Sequence, residues 1–121
     1  MIKSFPCSAE GLSGAQTFLE SFCEEPKPAI VMDEIVSNIV RCSGATGFTI
    51  GLSDFKDGGM KMVFSDDGVP FDPTRDVKPP DVTVGIEARE IGGLGIHMVK
   101  KMSKSVSYVR EADKNILTVV M

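Results

Sequence analysis

Apolar residues follow two rhythms along this chain. Leu12, Ala15, Leu19 and Phe22 stand 3, 4 and 3 apart, a single helical stripe, and Ser8 ahead of them is a natural N-cap. The spacing predicts a helix from Ser8 to about Cys23, broken by Glu24-Glu25-Pro26-Lys27-Pro28. A second helix is expected from about Pro28 to Cys42, with Ile30, Ile35, Ile39 and Cys42 as its core stripe. Ser43-Gly44 ends it, the glycine supplying a left-handed cap.

The rhythm then changes to strict alternation. Phe48, Ile50 and Leu52 alternate with Thr49, Gly51 and Ser53, and Met60, Met62 and Phe64 alternate with Lys61, Val63 and Ser65. Asp57-Gly58-Gly59 between them is turn chemistry, so the pair reads as a hairpin. Its second strand runs directly into Asp66-Asp67-Gly68. From Val69 to Ile91 the pattern dissolves into four prolines and scattered charges. A loop this long in a small domain reads as a lid or binding loop, against a plain connection or local helix.

Gly92-Gly93-Leu94-Gly95 opens a third helix, Leu94 to about Lys104, with Leu94, Met98 and Met102 as its stripe. Ser105 to Arg110 and Asn115 to Met121 read as two closing strands joined by Glu111-Ala112-Asp113-Lys114, and Ile2 to Phe5 as an opening one. The order β-α-α-β-β-loop-α-β-β groups helices and hairpins instead of alternating them. That predicts an α+β fold: a two-layer α/β sandwich with a mostly antiparallel sheet of about five strands against about three helices.

Composition narrows the function. The chain has 121 residues, the length of one domain spanning 1–121. A net charge of −4 argues against nucleic acid, whose phosphates need clustered Lys and Arg. No apolar run is long enough to span a membrane. The first residues, MIKSFPCSAEG, lack the apolar stretch of a secretory signal, so the expected compartment is the cytoplasm. Cys7, Cys23 and Cys42 match neither a disulfide framework nor a zinc spacing and read as free thiols.

Three places could carry chemistry. Glu34 and Asn38 are four apart on the second helix and share a face; their hard oxygens suit Mg²⁺ and its waters, or the carboxylate could orient a hydroxyl, and the same spacing fits a solvated polar face. Asp66 at a strand end could accept a hydrogen bond from an exocyclic amine such as that of adenine, with Gly68 letting a flat ring approach; Asp-Gly is also ordinary turn chemistry. Gly92-Gly93-Leu94-Gly95 at a helix N-terminus could bind phosphate through backbone N–H groups, and it is neither a Walker loop nor a dinucleotide motif. His97, the sole histidine, reads as packing or surface.

Together and in this order, the Glu-x-x-x-Asn helix, the Asp-x-Gly strand end, the lid-like loop and the Gly-Gly-Leu-Gly-Ile helix start resemble the GHKL (Bergerat-fold) ATP-binding superfamily. Within it, Ser65-Asp66-Asp67-Gly68-Val69-Pro70-Phe71-Asp72-Pro73 and Ile91-Gly92-Gly93-Leu94-Gly95-Ile96-His97-Met98-Val99 look like the bacterial anti-sigma factor serine/threonine kinases. Tyr108-Val109-Arg110 and Asn115-Ile116-Leu117-Thr118 fit the same group, and the resemblance covers about residues 2–121. The family often has a His soon after the metal-binding Asn; this chain reads Arg41-Cys42-Ser43 there.

The resemblance implies a role for each matching position. Glu34 is the general base on a target hydroxyl, and Asn38 the Mg²⁺ ligand. Asp66 reads the adenine amine with Gly68 beside the ring. Gly92, Gly93, Leu94 and Gly95 hold the phosphates of ATP or ADP. Thr118 falls where relatives place a hydroxyl near adenine, and Arg41, one turn after Asn38, approaches phosphate. It also implies a homodimer that binds a sigma factor or similar regulator and phosphorylates a STAS-type antagonist. A binding module that holds nucleotide passively, or none, is the alternative. The catalytic domain of a histidine kinase is a third reading, but it needs a phosphoacceptor His on a dimerising helix pair, whereas His97 falls in the phosphate-box helix.

Overall fold

The computed structural model describes residues 1–70, 72 and 93–121. Its elements are β1 (Ile2–Pro6), α1 (Ala9–Glu20), α2 (Pro26–Cys42), β2 (Gly47–Phe55), β3 (Gly59–Asp66), α3 (Gly93–Met102), β4 (Ser105–Glu111) and β5 (Lys114–Val120), with a short 3₁₀ turn, Lys56–Gly58, between β2 and β3. The five strands form one sheet in the order β1-β2-β3-β5-β4, each neighbouring pair antiparallel. Together with the three helices this is the α+β sandwich expected from the grouped order of elements. The expected loop from Val69 to Ile91 falls almost wholly outside the described residues.

Alternation decides which sheet face is covered. Phe48, Ile50 and Leu52 of β2, Met60, Met62 and Phe64 of β3, and Leu117 and Val119 of β5 are buried in one cluster with Ala15, Phe18 and Leu19 of α1 and Val31, Met32, Ile35 and Val36 of α2. Phe5 of β1 stacks on Phe48 at 5.5 Å and tilts against Phe18 at 5.9 Å, tying α1 to the sheet edge. The turns follow their chemistry. Ser8 Oγ accepts from the Gly11 N–H at the start of α1. Gly44 takes a φ of 68° after α2. The β4–β5 hairpin closes on Ala112 and Asp113, both with positive φ, so Glu111 and Lys114 pair inside the ladder instead of belonging to a four-residue linker.

Two expected stripes hold only in part: Ile35, Ile39 and Met102 pack in or against the core, and Ile30 and Met98 do not. In α2, Ile30 is 44% exposed, whereas Val31, Met32, Ile35 and Val36 are buried. Ile30 and Ile35 are five residues apart, which turns the helix about 140° off register, so they cannot share a face. In α3, Met98 is 39% exposed and Val99 takes the buried position, with Met102 half-buried one turn on. Of the expected α3 line, Met102 packs against the core and Met98 does not, while the Leu94 side chain lies outside the described ones.

Candidate nucleotide site

The site is organised around the end of β3. Strand alternation turns Asp66 to the same side as Met60, Met62 and Phe64, and it is only 7% exposed. Asp67 points the other way and is exposed. The two adjacent carboxylates therefore do different work. Asp67 caps the turn after α2: Thr46 donates its backbone N–H to Oδ1 at 3.0 Å and its hydroxyl to Oδ2 at 2.8 Å. The Thr46 hydroxyl, and then its N–H, hold the Asp67 carboxyl below the usual carboxylate range.

Asp66 Oδ1 accepts two hydrogen bonds, from the Gly68 N–H at 2.9 Å and from Asn115 Nδ2 at 3.0 Å. Among the described residues, Oδ2 accepts none. An ionised carboxylate can only accept, so this leaves one oriented acceptor for an amine. Gly68 has its own reason to be glycine. A β-carbon there would lie 2.4 Å from the Ser43 carbonyl oxygen and 2.7 Å from Ser43 Cβ. The same approach lets the Val69 N–H donate to Ser43 O at 2.9 Å, docking the strand end onto the C-terminus of α2. The glycine expected to make room for a ring is, in the protein itself, packed against a helix end.

That docking sets the position of the α2 residues. Glu34, Asn38 and Arg41 stand at i, i+4 and i+7 on one face, Glu34 and Asn38 half-buried and Arg41 exposed. Helical rise puts Asn38 about 7.5 Å and Glu34 about 14 Å along the axis from Ser43. Arg41 is braced by its Nε donating to Ser37 O at 3.2 Å and its Nη2 to Asn38 Oδ1 at 3.3 Å. Asn38 Oδ1 keeps a second lone pair, and Glu34 stands one turn away, so the donor set fits a Mg²⁺ held chiefly by nucleotide phosphates and water. Among the described residues no cluster of three or more His, Cys, Asp or Glu is placed to hold a metal ion.

The remaining expected positions divide. Gly93, Leu94 and Gly95 form the first turn of α3, which packs beside α2, while Gly92 lies outside the described residues. Thr118 does not join the site. It pairs with Val63 and Ser107 on the sheet face away from the helices, whereas Asn115, Leu117 and Val119 face inward. The side chain that meets Asp66 is Asn115, directly opposite it in register and 6% exposed. Alternation held the signal: Asn115 is the polar member of the inward set 115, 117, 119, and Thr118 belongs to the other set.

Two further residues of the β4–β5 hairpin close the same corner. The Tyr108 hydroxyl donates to Asn115 Oδ1 in a short bond, and Arg110 Nη1 donates to Gly68 O at 2.8 Å. Cys7 lies near enough that Asp66 and Asp67 add to the effect of burial in pushing its thiol up. Cys7 and Cys23 are free and half-buried, as read from the sequence. Among the described residues no helix is long and apolar enough to cross a membrane.

A family model for the histidine kinase-like ATPase domain matches residues 7–121, nearly the whole chain, and the chain belongs to that family. A domain of this type binds ATP and ADP. No curated protein matches the chain.

Proposed function

We propose that this histidine kinase-like ATPase domain is an ATP-dependent protein serine/threonine kinase of the anti-sigma factor type. In this reading it works in the cytoplasm as a homodimer. It sequesters a sigma factor or similar regulator in one state and phosphorylates a STAS-type antagonist in another. The Ser65–Pro73 and Ile91–Val99 wording supports that subgroup within the family. The observation that carries the nucleotide half is the docking of Gly68 and Val69 on Ser43, which brings Asp66, bonded to the Gly68 N–H, to the end of the helix that presents Glu34, Asn38 and Arg41.

Adenine lies at the Asp66 end, its amine donating to Oδ2. The phosphates run along α2 toward Glu34 and meet the backbone N–H groups at the start of α3. Asn38 would hold Mg²⁺, which would neutralise phosphate charge, leaving the Glu34 carboxylate to act as base. Glu34 takes the proton of the target serine or threonine hydroxyl. That oxygen bonds to the γ-phosphorus as the β–γ bridging bond breaks, and ADP leaves with the bond's electron pair. Arg41 balances the negative charge of the phosphates.

The test is transfer of label from γ-labelled ATP to a candidate antagonist. Label on a Ser or Thr, abolished by Glu34→Ala, is the expected result. One observation favours a weakly catalytic or nucleotide-independent binding module instead: the Arg41 guanidinium occupies one side of the Asn38 oxygen that Mg²⁺ needs. No transfer to any candidate, with partner binding unchanged by Glu34→Ala, would establish that alternative.

A further inference from the structure

The hydrogen bonds around Asn115 do more than fill a buried corner. Both protons of its amide nitrogen are engaged, one on Asp66 Oδ1 at 3.0 Å and one on Val69 O at 2.8 Å. Its amide oxygen receives the Tyr108 hydroxyl. This fixes which way round the amide sits. Turned over, its oxygen would face a carboxylate and a carbonyl, two acceptors, in a site almost closed to water.

The orientation matters for Asp66. Two N–H donors on Oδ1 hold the carboxylate plane and leave Oδ2 as a directed acceptor. We propose that Asn115, aligned by Tyr108, is the positioning residue that makes this site selective for a 6-amino purine over a 6-keto purine. The inference rests on the reading that Asp66 faces the purine C6 substituent. An amino group there donates to Oδ2. A keto oxygen meets it acceptor to acceptor and is rejected. Without the Asn115 donor the carboxylate is freer to turn away from the keto oxygen, and selectivity falls.

The test is a calorimetric titration of ADP and IDP, which differ at C6, into the full chain and its variants. The wild type is expected to prefer ADP. In Asn115→Leu, close in volume but with no donor, the ADP-to-IDP affinity ratio narrows on the order of tenfold. In Tyr108→Phe, where only the alignment is lost, it narrows less. A change in packing alone weakens both ligands together and leaves the ratio where it was. A wild type that binds ADP and IDP equally overturns the Asp66 reading and this inference with it. A selective wild type whose ratio is unchanged in Asn115→Leu overturns this inference alone. If Asn115→Leu does not fold, the Tyr108→Phe ratio decides: narrowed supports the assignment, unchanged overturns it.

Discussion

The two ends of the site are built in opposite ways. At the α2 face, Glu34, Asn38 and Arg41 come from one helical stretch, are half-buried or exposed, and the hydrogen bonds there span three or four residues. At the Asp66 end the contacts join residues 42, 46 and 49 positions apart, and the carboxylate is almost out of reach of solvent. In the proposed reading the first end is a local surface that a ligand and a protein substrate complete. The second is finished before any ligand arrives. Recognition of a flat base benefits from fixed donors and acceptors, because a buried mismatch then has no water to relieve it. A phosphoryl acceptor arriving on a partner protein needs an open approach.

That contrast can be broken at its open end with the largest effect. Glu34→Ala is expected to reduce phosphoryl transfer by about 100- to 10,000-fold, while calorimetry finds ADP affinity little changed. If ADP affinity falls in step with transfer, the two ends are not separate. At the closed end, Gly68→Ala places a methyl into the Ser43 carbonyl and is expected to cost about 2–3 kcal/mol of stability. Chemical denaturation measures this, and nucleotide binding should weaken with it because the docking of β3 on α2 positions Asp66.

Asp66→Asn sharpens the comparison without disturbing packing. The amide oxygen can still accept from Gly68 and Asn115, but an NH₂ group replaces the free acceptor. ADP affinity is expected to fall about tenfold or more in a protein that melts close to the wild type.

The smallest effect belongs to Asp67. The hydrogen bonds from Thr46 lower its folded pKa, so its contribution to stability is present above the ordinary carboxylate pKa and is lost as pH falls through the lowered folded value. Asp67→Asn is expected to lower the melting temperature slightly at neutral pH, with the difference from wild type closing in acid. A difference that persists in acid would assign the effect to packing instead of charge.

The expected lines in α2 and α3 show where sequence reading lost its footing. Periodicity showed that each segment is an amphipathic helix, but neighbouring apolar residues offered more than one stripe. In α2 the helical period itself keeps Ile30 off the face of Ile35 and puts Val31, four residues before Ile35, on it. Thr118 and Asn115 are a different case. The alternation of β5 was legible, yet which set faces inward became plain only with Leu117 and Val119 in the core and Asn115 opposite Asp66.

What the sequence determined by itself was local: helix and strand periods, caps and turns, and the i, i+4, i+7 alignment of Glu34, Asn38 and Arg41. These depend on backbone geometry within one or two turns, so residue order suffices. The order of motifs along the chain also pointed to the ATPase family to which the chain belongs. What only the tertiary structure decided was which face each strand buries, why Gly68 must be small, and which residues hold Asp66. Asn115, Tyr108 and Arg110 reach that corner because β5 pairs with β3 and β4 pairs with β5. Their bonds to Asp66, Asn115 and Gly68 depend on strand register, and register is set by burial of the whole sheet face, not by any neighbour in sequence.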